Sequence, residues 1–90
     1  MSYSYETQKE RLFTDQGQRM FLEVRDRAHR LLKTAGAFRL LEAIAGTSGD
    51  SWLMIACVDR MLELGEIREL TGSDVWGQYR CFTTLAKNGR

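Results

Sequence analysis

The sequence predicts a mainly α-helical domain that ends in a C-terminal β-hairpin, and three observations carry that expectation. Apolar residues recur at helical spacing from Arg19 to Ala35 and again from Trp52 to Leu64. Proline is absent from all 90 residues, which favours helices over a loop-rich scaffold. Beyond Gly65 the pattern changes to short β-forming runs separated by turn residues.

Length and composition bound the rest. A chain of 90 residues makes one domain with one core, and it buries only about 60 to 70% of its surface on folding. With 13 basic against 12 acidic residues the formal charge is +1, so no global field draws the chain to nucleic acid or to an anionic membrane. Any such binding must come from a local patch.

Residues 1–14 read as a polar lead carrying Tyr3 and Tyr5. Within it, Arg11 to Thr14 either forms a short strand that pairs with the hairpin or continues the first helix. Thr14 and Asp15 are helix-starting residues, so the first helix should begin near Gln16 to Gln18. Phe21, Val24, Ala28, Leu31, Leu32 and Ala35 then share one face, with Arg19, Glu23, Asp26, Arg30 and Lys33 opposite. The spacings Glu23 to Arg27 and Asp26 to Arg30 suit ion pairs that steady a helix by about 0.2 to 0.5 kcal/mol each. Gly36 ends this helix.

Ala37 to Gly46 predicts a second helix, too short to stand alone, that docks through Phe38, Leu41 and either Ile44 or Ala45. A turn over residues 46–51 supplies Asp50 or Ser51 as the cap of the third helix. Wound at 100° per residue, that helix places Met54, Cys57, Met61 and Leu64 on one side and Ile55, Val58 and Leu62 on the adjoining side. A strip of Trp52, Ala56, Asp59, Arg60 and Glu63 remains. This is the central helix of the core. After Gly65, residues 66–70 and 79–84 should pair as an antiparallel hairpin around a loop that carries Val75 and Trp76. The domain thus spans residues 15–84, and residues 85–90 read as a tail.

The chemistry-bearing residues are few. Cys57 and Cys81 lack the spacing of a zinc or redox site and read as small core residues in a reducing compartment. His29 is the sole histidine, and Cys57 and Asp59 project from different sides of one helix, so no nucleophile and base come together. No phosphate-cradling glycine loop, HExxH or GxSxG motif is present. The expectation is no enzyme, no cofactor and no metal. The longest uncharged run falls far short of the roughly 20 apolar residues a bilayer needs, which predicts a cytoplasmic chain without membrane contact.

The order helix, short helix, turn, helix, glycine, strand, loop, strand over residues 17–84 resembles the winged-helix superfamily. The stretch "VDRMLELGEIREL", followed by "GQYRCFTT", is similar to the third helix of that fold running into its wing. The resemblance implies one of two roles: a DNA reader that lays its third helix in the major groove and its wing along the backbone, or a protein-interaction module.

The residues depart from DNA reading. The third helix and its cap offer Asp50, Ser51, Trp52, Ala56, Asp59 and Glu63, with Arg60 the one basic group, and carboxylates repel phosphates. The wing loop holds Asp74 and no basic residue. The first expectation is therefore a non-catalytic binding module that mediates protein contacts or self-association as a homodimer, in a regulatory or accessory role. Trp52, Trp76 and Tyr79 would supply contact area and Arg68 and Arg80 the polar rim. Trp52 either anchors a partner or caps the core. The second expectation is a small transcription regulator that binds double-stranded DNA through Arg19, Arg27, Arg30 and Lys33, joined by Arg39. The third is a structural component of a larger assembly.

Overall fold

Thr14 opens the longest element. Its hydroxyl oxygen accepts a hydrogen bond from the Gly17 N–H at 3.0 Å, and helix α2 runs from Asp15 to Ala35. In the computed structural model, which describes residues 3–47, 49–72 and 79–85, α2 is preceded by helix α1 (Tyr5–Gln8) and a 3-10 turn (Lys9–Phe13). It is followed by strand β1 (Ala37–Arg39), helix α3 (Leu40–Ile44), helix α4 (Ser51–Glu63) and strands β2 (Ile67–Glu69) and β3 (Cys81–Thr84). The architecture is mainly helical with a C-terminal antiparallel hairpin, as expected. Among the described residues no helix is long and apolar enough to cross a membrane, and no group of metal-ligating side chains converges.

The lead is part of the fold. Leu12 is buried in the core, and the 3-10 turn packs backbone against backbone on α2. A Cβ at Gly17 would lie 2.0 Å from the Arg11 carbonyl oxygen and 2.7 Å from the Leu12 Cα, so only glycine allows this approach. Arg11 to Thr14 is accordingly no strand: the Thr14 hydroxyl and N–H both donate to the Arg11 carbonyl, at 2.7 and 3.4 Å, and turn the chain into α2. The same packing brings Met20 into the core with Val24 and Ala28, while Phe21, Leu31 and Leu32 are half-buried and Ala35 is exposed. At the other end Gly36 takes the left-handed φ of 81° that stops the helix.

The third strand of the sheet comes instead from the start of the expected second helix. Ala37, Phe38 and Arg39 pair with Thr83, Phe82 and Cys81, and on the other side of β3 the residues Ile67, Arg68 and Glu69 pair with Thr84, Thr83 and Phe82. The sheet order is β1-β3-β2. Helix α3 then starts at Leu40, where the Glu42 carboxylate accepts from the Arg39 N–H at 2.7 Å. Leu40 and Ala43 face the core, which leaves Leu41, an expected docking residue, about half exposed.

Helix α4 is the central helix, capped by Asp50, whose carboxylate accepts from the N–H groups of Trp52 and Leu53 at 2.8 and 3.4 Å. Leu53, Met54, Ala56, Cys57, Val58 and Met61 are all buried. Helical winding alone predicts Ala56 on the exposed strip. It is buried because α1 and the 3-10 turn pack across that side of α4. Leu64 lies at the helix end and is exposed, and Ile55 and Leu62 are only half-buried. Phe38 and Phe82 stack across the inner face of the sheet with ring centroids 5.3 Å apart, joining β1 and β3 to this core.

Candidate functional site

The polar strip of α4 offers Asp59, Arg60 and Glu63, and the chain's own residues occupy it. The Tyr3 hydroxyl donates to Asp59 at 2.6 Å, the Tyr5 hydroxyl donates to Glu63 at 2.7 Å, and Lys9 donates to the other Glu63 oxygen at 2.6 Å. Arg60 adds a bond to Glu63 at 2.8 Å, and Arg11 pairs with the cap Asp50 at 2.8 Å. Hydrogen bonds from Lys9, then from Tyr5 and Arg60, pull the Glu63 carboxyl down to about 2. Burial, followed by the bonds to Asp59 and Glu63, pushes the Tyr3 and Tyr5 phenols up. The sequence pattern alone assigns Tyr3, Tyr5 and Lys9 no role. The available signal was two tyrosines in an otherwise polar lead and two carboxylates on a helix with a single basic neighbour.

Arg80 completes the covering of the strip from the other end of the chain. Its guanidinium bridges Asp59 at 2.8 Å and Glu69 at 3.0 Å and lies 5.1 Å from the Phe82 ring centroid. With the three side chains only 14%, 13% and 24% exposed, this is an internal strut and not the rim contact expected of Arg80. Burial alone would lower the Arg80 pKa, but the bonds to Glu69 and Asp59 carry it above the ordinary value. Burial likewise pushes the Glu69 carboxyl up, and the bonds from Arg80 and Thr71 outweigh it, so Glu69 ends below the usual carboxylate range. Trp52 is half-buried at the start of α4, and Trp76 falls in residues 73–78, outside the described residues.

The outer face of the sheet is in the opposite condition. Strand alternation and the pairing register set two rows across it: Arg39, Cys81 and Leu70, then Ala37, Thr83 and Arg68. Leu70 joins the first row because its N–H donates to the Cys81 carbonyl at 2.7 Å, extending the ladder by one residue. Arg39 and Arg68 are exposed, Leu70 is about half exposed, and Tyr79, at the entry to β3, is 67% exposed. No carboxylate lies in these rows, and among the described residues neither Arg39 nor Arg68 forms an ion pair. Of the expected contact residues, Arg68 lies on this face with Arg39, and Tyr79 is exposed at the entry to β3.

The basic residues of α2 are interspersed with carboxylates. Arg19, Arg30 and Lys33 are exposed among Glu23 and Asp26, and Arg30 pairs with Asp26 at 3.3 Å. The expected pair of Glu23 with Arg27 does not form; the Arg27 Nε donates instead to the carbonyl of Glu42, in the middle of α3, at 3.1 Å. Arg39 lies on the sheet. His29, with Arg25, faces Glu66 at 3.3 and 2.8 Å and braces α2 against the turn after α4. The Cys57 thiol is buried and pushed up to about 12, far from a thiolate nucleophile at neutral pH. Comparison of the chain with protein-family models, with curated proteins and with solved structures finds no match in any of the three.

Proposed function

We propose that this chain is a non-catalytic, winged-helix-type binding module that acts through protein contacts in a regulatory or accessory role. The order α2, β1, α3, α4, β2, β3 with its β1-β3-β2 sheet supports the architectural half of the reading. The single observation that carries the functional half is the contrast between two surfaces. The strip of α4 that would enter a DNA groove is acidic and already engaged by Tyr3, Tyr5, Lys9 and Arg80. The outer sheet face holds Arg39, Arg68 and Leu70, with the exposed Tyr79 at the entry to β3, and aliphatic, aromatic and arginine groups of this kind suit a protein interface. The pairing of His29 with Glu66 and the burial of Cys57 support the non-catalytic part.

Titration of the purified chain into mixed-sequence duplex DNA at low and raised salt, with its mass in solution determined alongside, tests this reading. Phosphate-led binding weakens steeply with salt, so the expected outcome is no such binding at either salt. Tight, salt-sensitive binding that is lost on charge reversal at Arg19 and Arg30 would replace it with the DNA-binding regulator.

A further inference from the structure

We infer that the outer face of the sheet receives an acidic, extended segment of a partner protein, its carboxylates on Arg39 and Arg68 and an apolar side chain over Leu70. The inference rests on the protein-contact reading above and names the partner's chemistry. Charge complementarity carries it. Among the described residues the ion pairs engage Lys9, Arg11, Arg25, Arg30, Arg60 and Arg80; of the basic residues without one, Arg19, Arg27 and Lys33 lie on α2, and Arg39 and Arg68 share a sheet face whose rows contain no carboxylate. Guanidinium groups bind carboxylates by paired, charge-assisted hydrogen bonds, so an acidic ligand fits where a basic or neutral one does not.

Register sets the spacing of that ligand. Arg39 and Arg68 sit on the two edge strands, beside Cys81 and Thr83 of the central strand. Two strand spacings across and two residues along put their Cα atoms roughly 12 Å apart, the span of about four residues of extended chain. Glutamates four apart therefore match the two arginines, and the residue midway between them lies over the central strand between Cys81 and Thr83, with Leu70 alongside. Two cations are too few for the several phosphate contacts on which nucleic-acid affinity rests. Two charged ends with an apolar anchor between them suit a short protein segment.

The probe is a fluorescein-labelled extended peptide with glutamates four apart and leucine between them, titrated into the full chain at low and raised salt. A lysine-for-glutamate peptide and duplex DNA serve as second and third probes. The expected result is salt-sensitive binding of the acidic peptide alone. Amide shifts should be confined to Arg39, Arg68, Leu70, Tyr79 and Cys81, and affinity should fall at least about ten-fold in the Arg39→Glu/Arg68→Glu variant, whose unchanged far-field amide spectrum shows it folded. Absence of acidic-peptide binding, or shifts confined to Arg19, Arg30 and Lys33, overturns this inference and leaves the protein-contact reading standing. A chain that doubles its mass through this face, with the doubling lost in the double variant, makes a second copy the occupant and also overturns it. Duplex DNA binding on the same face overturns both readings.

Discussion

Replacing Arg80 by methionine removes a cation shared by Asp59 and Glu69 while keeping an apolar stem over Phe82. Both carboxylates are then left with most of their surface covered, at 13% and 24% exposure. Cutting one partner from a fully buried pair costs about 3 to 5 kcal/mol. The remaining access to water, with the Tyr3 hydroxyl still on Asp59, brings the expectation to about 2 to 4 kcal/mol. In a domain of this size each kcal/mol moves the midpoint by about 4 to 8 °C, so Arg80→Met should melt at least about 8 °C below the parent. Thermal unfolding followed by circular dichroism measures this. A triple variant that adds Asp59→Asn and Glu69→Gln should recover part of the loss, because no stranded charge remains. An Arg80→Met melt within about 2 °C of the parent would refute the reasoning. A triple variant no more stable than the single one would move the cause from charge to packing on Phe82.

Further outcomes follow from the same geometry. Gly17→Ala improves helix propensity by about 1 kcal/mol, yet its Cβ would meet the Arg11 carbonyl at 2.0 Å; a net loss of stability in denaturant titration is expected, and a gain would contradict the packing of the 3-10 turn on α2. Glu63 is held at about 2 against an ordinary 4.5, and Asp50, Glu66 and Glu69 also lie below their ordinary values. Such depressed carboxylates contribute stability that is full above the unfolded pKa and is lost as pH falls through the folded one. The melting temperature should therefore decline below about pH 4.5 and keep falling toward about pH 2, and a flat profile there would contradict the ion pairs on α4. In native protein a thiol reagent at mild alkaline pH should label Cys81, which is half-exposed, and reach the buried Cys57 only after denaturant is added; rapid labelling of both thiols would place Cys57 at the surface. Leu53→Ala and Met61→Ala, at fully buried positions of α4, should each cost about 2 to 5 kcal/mol and more than Leu62→Ala, as read from urea midpoints.

The parts of the fold legible in the sequence are those governed by periodicity and by single-residue punctuation. The faces of α2, its stop at Gly36, the Asp50 cap and the hairpin after Gly65 all depend on local patterns and were read from them. What escaped depends on pairing across the chain. Ala37 to Arg39 carries a helical pattern, and only the partner strand β3, more than forty residues away, draws it into the sheet. Leu12 and Ala56 are buried by each other's elements, and neither residue's neighbours in sequence announce it. The candidate site divides in the same way. Residue type alone points to Arg68 and Tyr79, whereas the place of Arg39 on the sheet depends on β1 pairing, and the burial of Arg80 depends on two carboxylate partners 11 and 21 residues away.

Asp59 accepts bonds from Tyr3 near one end of the described chain and from Arg80 near the other. One carboxylate in the middle helix therefore works as a keystone between two terminal segments that have no shared backbone nearby. Because both segments are clasped to the same carboxylate, they should open together in native-state exchange and before the core of α4 does. The amides of α1 and of the Arg80 end of the hairpin are then expected to share one opening free energy. For anyone handling the molecule this has a practical side: a fusion or truncation that disturbs Tyr3 reaches the sheet, and with it the arginines on its outer face, through a single oxygen pair.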